Sequence, residues 1–176
     1  MLIRLYKAIF FLAIVGSLPA LYANNGSRSI DNAPVAGPEP TMDSLLVPGP
    51  HSVAQLREID GLRDGPLYRG ATIFYPIELS HPLASVVIVP GWSSSERSIR
   101  RWGPFYASHG IVTMTIGTNN PPRDFPQERA DALIDAMATL RAENTRDGSP
   151  IFKRLDLSRI AVSGWSMGGG GSLRVA

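Results

Sequence analysis

The chain has 176 residues, 44% hydrophobic and 18% charged, the balance of one modest globular domain rather than of a disordered or fibrous chain. Its formal net charge of +2 vanishes once Arg4 and Lys7 are set aside, so no basic excess remains and no nucleic-acid partner is expected. Cysteine is absent, which excludes disulfides and thiolate metal sites within this stretch.

Arg4 and Lys7 precede an apolar run from Ala8 to Val15 that is broken by Gly16, Ser17 and Pro19. This is the layout of a secretory signal over residues 1–23, with cleavage after Ala23 or Ala20, and it predicts a secreted or periplasmic protein. The run is shorter than the roughly 20 residues that a membrane span requires, so no stable membrane anchor is expected. Residues 24–50 are rich in Asn, Gly, Ser and Pro, with Pro34, Pro38, Pro40, Pro48 and Pro50 among few large apolar side chains, and are expected to be flexible or extended. The folded part is expected over residues 51–176.

Val53, Gln55 and Arg57 open a first strand that ends at Asp60-Gly61, and Gly65-Pro66 marks a turn. Tyr68 to Tyr75 alternates around Ala71, Ile73 and Tyr75 and stops at Pro76, as an antiparallel strand with one wet face would. Ala84 to Val89 is almost continuously apolar and β-branched, the mark of a strand buried on both faces, and Pro90-Gly91-Trp92 ends it. Ile99, Trp102, Phe105 and Tyr106 have helical spacing between Glu96 and His109, with Ser93 and Glu96 in capping-box relation and Gly110 as the stop. Gly103-Pro104 predicts a kink or split in that helix.

Ile111 to Ile116 reads as another buried strand. Gln127 to Glu143 is a helix with Ala130, Leu133, Ile134, Met137 and Leu140 on one stripe and Asp124 with Gln127 as its cap. Leu155 to Ser158 reads as a turn, and Arg159 to Ser163 as a short strand. Apolar strands alternating with helices predict an α/β fold, a mostly parallel sheet with helices on both faces. Ligands in such sheets collect at the carboxyl ends of the strands, where Trp92 and Ser166 fall.

Gly164-Trp165-Ser166-Met167-Gly168 is a Gly-x-Ser-x-Gly segment between that last strand and a Gly-rich helix start, the order required of a nucleophile elbow. A serine on so tight a turn is held clear of the backbone, open to a carbonyl, and its neighbours must lack a β-carbon. An acyl-transfer serine also needs N–H donors for the developing oxyanion, one from the next residue and one from the loop after an earlier strand. Met167 and Trp92 occupy those positions. Trp92, Trp165 and Met167 would form an apolar wall for an acyl or aromatic ester, core packing being the alternative for each tryptophan.

These residues resemble the secreted α/β-hydrolases that include bacterial cutinases and poly(ethylene terephthalate) hydrolases. The similarity runs from about Gly49 to Ala176 through Val47-Pro48-Gly49-Pro50, Ala71 to Pro76, Ile88 to Trp92, Trp102-Gly103-Pro104, Ala107 to Gly110, Thr118-Asn119 and Gly164 to Leu173. The resemblance implies an α/β-hydrolase fold and a serine carboxylic-ester hydrolase acting on esters or polyesters, without cofactor or metal. It also implies Ser166 as nucleophile, Trp92 and Met167 as oxyanion donors, and Trp92, Trp165 and Met167 as the substrate-binding subsite. The family more often has tyrosine or phenylalanine at the place of Trp92 and aspartate at that of Gly117, so the loop at Gly117 is expected to differ.

A hydrolase of this type carries its acid and then its histidine after the nucleophile, whereas His51, His81 and His109 all precede Ser166. His109 ends a helix beside Gly110, and His51 and His81 adjoin prolines. The expectation is therefore an N-terminal part of a longer hydrolase, truncated after the elbow and inactive alone, its aspartate and histidine lying beyond residue 176 and Ile160 to Ser163 left as an exposed sheet edge. A noncatalytic module that retains the fold is the alternative. Arg97, Arg100 and Arg101 read as a solvated helix face or an anion contact, and Asp131 with Asp135 as a wet face or a metal pair.

Overall fold

A computed structural model describes residues 41–176. The expected signal over residues 1–23 and the segment from 24 to 40 lie outside the described residues. Thr41 caps a one-turn helix, α1 (Met42–Leu46), by accepting from the Ser44 N–H at 3.2 Å while its own N–H donates to Ser44 Oγ at 2.9 Å. This reciprocal cap is the local reason why 42–46 turns rather than extends, as the proline content predicted.

Strands β1 (Val53–Arg57), β2 (Tyr68–Pro76), β3 (Leu83–Val89), β4 (Val112–Thr118) and β5 (Leu155–Gly164) form one sheet in the order β1-β2-β4-β3-β5. β1 and β2 run antiparallel to their neighbours, while β3 pairs parallel with both β4 and β5. The helices are α2 (Trp102–Ser108), α3 (Pro126–Glu143) and α4 (Met167–Val175). No described helix is long and apolar enough to cross a membrane.

Side chains alternate across the sheet, and each face has its own cover. Ile73, Val87, Val89, Met114 and Ile116 join Ala132, Leu133, Ala136 and Leu140 of α3 in one buried cluster. On the opposite face Phe74 lies under α2 so closely that a β-carbon on Gly103 would fall 2.1 Å from its ring. Helices over both faces bury Ala71 through Phe74 without interruption, so β2 has no wet face despite its antiparallel pairing.

The predicted helix from Glu96 is split, as Gly103-Pro104 suggested, but the break lies upstream, between a 3₁₀ turn at Glu96–Ser98 and α2. Pro104 thereby falls in the first turn of α2, where its missing N–H has no intrahelical partner to lose. Glu96 does not cap with Ser93. It is buried, accepting from Thr115 Oγ1 at 2.6 Å and from Arg100 Nε at 2.8 and 3.0 Å.

α3 starts one residue before the expected Gln127, with Pro126 in its first position and the Glu128 carboxylate accepting the Phe125 N–H at 2.9 Å. Asp124 serves the preceding loop instead, accepting from Asn120 N at 2.6 Å. Ile134 is 55% exposed, while Asp135, assigned to a wet face or a metal pair, is buried. Its carboxylate takes Arg63 Nη2 at 2.9 Å and the Leu67 N–H at 3.0 Å, tying the loop after Gly61 onto the helix. The hydrogen bond to Asp135 raises the pKa of Arg63 further above its ordinary value. The Tyr68 hydroxyl, donating to Arg63 O and 2.8 Å from Thr139 Oγ1, belongs to the same network, and burial raises its pKa.

β5 begins at Leu155, whose N–H is received by Asn144 Oδ1 at 2.9 Å, so the expected turn lies inside the strand. Leu83 pairs with Leu155 but Ser85 with Ile160, and the intervening residues bulge around Asp156, which accepts from Ser158 N and Oγ. Gly117 belongs to β4 rather than to a loop. It faces Arg69, whose carbonyl would lie 2.4 Å from any β-carbon there.

Replacing Asp135 by alanine leaves Leu67 N–H unpartnered and releases Arg63, which is itself partly solvated, so Asp135→Ala should lower unfolding free energy by about 2 kcal/mol. Urea denaturation of the two proteins measures the difference; an unchanged midpoint would contradict the anchoring role.

Candidate active site

Val89 of β3 pairs with Gly164 of β5, so the loops that follow these strands leave the sheet side by side. The α2 helix after β3 and the α4 helix after β5 lie over opposite faces, so the two loops emerge at the carboxyl ends of the strands, where sheets of this kind place their binding crevice. Gly91 and Trp92 stand on one side of it and Trp165 and Ser166 on the other.

The turn into α4 is as tight as the glycine spacing requires. Gly168 N donates to Trp165 O at 2.8 Å, Gly169 N to Ser166 O at 2.9 Å, and Trp165 N to Val89 O at 3.1 Å. Ser166 is left at φ 51°, ψ −115°, a conformation that costs a side-chain-bearing residue on the order of 1–3 kcal/mol and persists only where the surroundings impose it. A β-carbon on Gly164 would meet the Gly168 carbonyl carbon at 2.2 Å, and one on Gly168 would meet Val89 O at 2.4 Å. Across the crevice a β-carbon on Gly91 would come within 3.2 Å of Ser166 Cβ. The two loops therefore touch through glycine backbone, and Ser166 is exposed between them.

Met167 is the first residue of α4, so its N–H has no intrahelical acceptor, and the positive end of the helix dipole is directed at the same place. Trp92 lies in a loop held by neighbouring bonds, with Ser93 N donating to Pro121 O at 3.0 Å and Ser94 N to Gly91 O at 3.3 Å. Its indole is 58% exposed, and Nε1 donates to Pro122 O at 3.0 Å. Trp165 is 67% exposed and borders a pocket of about 110 Å³ with Ile88, Ile99, Trp102, Tyr106 and Ser163. Neither tryptophan is core, but they do not line a common cavity: Trp92 leans towards Pro122, away from this pocket. Met167 is half-buried beside Ser166.

One residue that sequence reasoning missed supports both sides of the crevice. Arg129 of α3 is 0% exposed, and its Nη1 and Nη2 donate to Pro90 O at 2.9 Å and Pro121 O at 3.0 Å. Its Cβ also lies 2.8 Å from where a β-carbon on Gly171 would sit, so the same side chain touches α4. Burial lowers the pKa of its guanidinium, opposed by the charge of nearby Asp124. Nothing in the sequence around Gln127-Glu128-Arg129 distinguishes this arginine from a solvated one in a first helical turn.

The three histidines lie at the other end of the sheet. His81 precedes β3, with Nδ1 3.2 Å from Pro82 O; His109 follows α2, with Nε2 3.1 Å from Val47 O; His51 is tied by its N–H to Ser108 O. A strand of seven residues at about 3.3 Å each separates that end from Ser166 by about 20 Å. Among the described residues no cluster of three metal-ligating side chains occurs.

A crossover from β3 to β4, a second one back to β5, and a serine turn opening the next helix define the α/β-hydrolase class. A family model described as PET hydrolase-like matches residues 28–176. The chain is 41% identical over 142 residues to Cutinase 2 of Thermobifida cellulosilytica, an alignment covering 80% of this chain and 51% of that protein. It is 35% identical over 171 residues to the bis(hydroxyethyl) terephthalate hydrolase of Streptomyces coelicolor, covering 96% of this chain and 51% of that one. Cutinase cut1 of Thermobifida fusca is 41% identical over 142 residues, with 80% and 42% covered. The chain belongs to the PET hydrolase-like family and spans about half the length of the curated relatives it matches.

The glycine contacts predict opposite outcomes for two residues two positions apart. Gly168→Ala drives a methyl into Val89 O and should destabilise by about 2 kcal/mol or more, because main chain must move. Gly170→Ala meets only Pro126 at 3.4 Å and should be neutral or stabilise by about 0.5 kcal/mol through helix propensity. Chemical-denaturation midpoints rank them; equal effects would mean that the close approach does not constrain the elbow.

Proposed function

We propose that this protein is an exported carboxylic-ester hydrolase that works through an acyl-enzyme on Ser166. The observation that carries the reading is the strained, exposed Ser166 at the start of α4, facing the Gly91-Trp92 loop. Export rests on the signal-like pattern of Arg4, Lys7 and Ala8 to Val15.

In this reading Ser166 Oγ attacks the ester carbonyl carbon as a base accepts its proton. The carbonyl oxygen becomes an anion received by the N–H groups of Met167 and Trp92, each contributing roughly 3 kcal/mol to lowering the barrier. Collapse expels the alcohol, which takes the proton back from the base, and a water repeats the sequence to release the acid and free Ser166. Both donors are main-chain groups, so the side chains of Trp92, Trp165 and Met167 are available to the substrate. Trp165 beside its pocket gives a flat apolar surface for the acyl part, favouring polyesters, cutin-like esters and short acylglycerols. The relatives, cutinases and a bis(hydroxyethyl) terephthalate hydrolase, support the same substrate class.

A serine hydroxyl stays protonated without a base, and His51, His81 and His109 are about a strand length away. The reading therefore draws its histidine and orienting acid from chain beyond residue 176, and residues 1–176 alone are inactive. In the polypeptide that continues past Ala176, Ser166→Ala should lower kcat for p-nitrophenyl butyrate by at least about 10³-fold and remove labelling by a fluorophosphonate. An intact polypeptide left unlabelled at Ser166 would instead indicate a noncatalytic module. Turnover by residues 1–176 alone, lost with Ser166→Ala, would refute the external base.

A further inference from the structure

On the far side of the Trp92 loop, beside the carboxyl end of β4, lies a cavity of about 360 Å³. Arg69 of β2, Glu96, Arg97 and Arg100 from the segment after β3, and Thr118 of β4 line it. Three exposed arginines and a single buried glutamate therefore line one space. That carboxylate is already engaged, by Arg100 and by Thr115 Oγ1 at 2.6 Å. Among the described residues neither Arg69 nor Arg97 belongs to an ion pair. Thr118 is 3% exposed, and its hydroxyl has no hydrogen-bond partner.

A buried hydroxyl without a partner is unfavourable, and cations brought together without anions repel. Both features point to one missing participant, an acceptor with more than one oxygen. We propose that this cavity binds a carboxylate, taken by Arg69 and Arg97 and hydrogen-bonded by the Thr118 hydroxyl. The planar guanidinium fork matches a carboxylate edge, and an anion here neutralises part of a local excess of two positive charges. Arg101 lines the adjoining depression with Arg97 and Arg100, which extends the positive field outward.

The source of the carboxylate rests on the ester-hydrolase reading. Each cleavage of a dicarboxylate ester leaves an acid group on one product, so a partly hydrolysed chain or a monoester presents a neutral ester and an anionic end in one molecule. The Trp92 loop separates the cavity from the Ser166 crevice, so the site receives the acid end of a bound product or half-ester rather than the ester under attack.

The test uses the whole polypeptide carrying Ser166→Ala, which prevents turnover, with terephthalate, monomethyl terephthalate and dimethyl terephthalate as probes in titration calorimetry. The two acids should bind at least about tenfold more tightly than the neutral diester, the factor expected of charge-assisted hydrogen bonds. Arg69→Gln with Arg97→Gln should remove that preference, and Thr118→Val should weaken the acids severalfold without lowering thermal stability. Monomethyl terephthalate binding more tightly than terephthalate identifies the half-ester as the ligand, and the reverse identifies the free diacid; either supports the site. Equal binding of acids and diester, indifference to the arginine substitutions, or displacement by inorganic phosphate at lower concentration than by terephthalate would overturn it. With Ser166 restored, the same arginine variants should hydrolyse neutral p-nitrophenyl butyrate at the original rate, so the fate of the anion site and that of the nucleophile are read separately.

Discussion

The structure around Ser166 depends on how closely backbone can approach backbone. Gly168 rests on the carbonyls of Val89 and Pro90, Gly164 rests on Gly168, and Gly91 rests on the elbow from the opposite side. With a β-carbon at Gly164 or Gly168, α4 would have to withdraw from the sheet, and the serine turn would relax with it. The exposed position of Ser166 and the N–H without an intrahelical acceptor at the start of α4 are two consequences of these contacts. The strain at Ser166 is maintained by packing on residues that have no side chain.

Arg129 acts on the same loops from below. Its buried guanidinium, without a carboxylate partner, donates to two main-chain carbonyls, Pro90 O in the Trp92 loop and Pro121 O in the loop after β4. Both acceptors belong to loops rather than to helices or strands, where carbonyls would be taken up by regular hydrogen bonding. The long buried side chain therefore sets the height of the Trp92 loop over the sheet while Gly91 sets its distance from Ser166. Asp135 and Glu143 extend this pattern along α3, whose inward face is partly polar because it anchors loops as well as packing against strands.

Charge is distributed unevenly over the carboxyl end of the sheet. The pocket beside Trp165 is aromatic and apolar and has no ionisable base among its lining residues, while behind the Trp92 loop the charge is mostly cationic. On the proposed reading, neutral ester and anionic product would meet different surroundings on the two sides of one loop. The histidines at the amino ends of the strands are held by local contacts, His109 by Val47 O and the Phe105 ring.

The α/β class, the buried character of β3 and β4, the extent of α3 and the Gly-x-Ser-x-Gly elbow were legible in the sequence alone. Each follows from short-range pattern: runs of β-branched residues, helical periodicity, and glycine where no β-carbon fits. Tertiary structure decided whatever depended on a partner distant in sequence. Burial of both faces of β2 required α2 and α3 together; Glu96 became a buried acceptor instead of a cap because Thr115 stands above it; Asp135 left solvent because the loop after Gly61 folds over it. Arg129 and the Arg69–Arg97 cavity were invisible for the same reason, since a charged side chain has one appearance in sequence whether it meets water, a carbonyl or another cation.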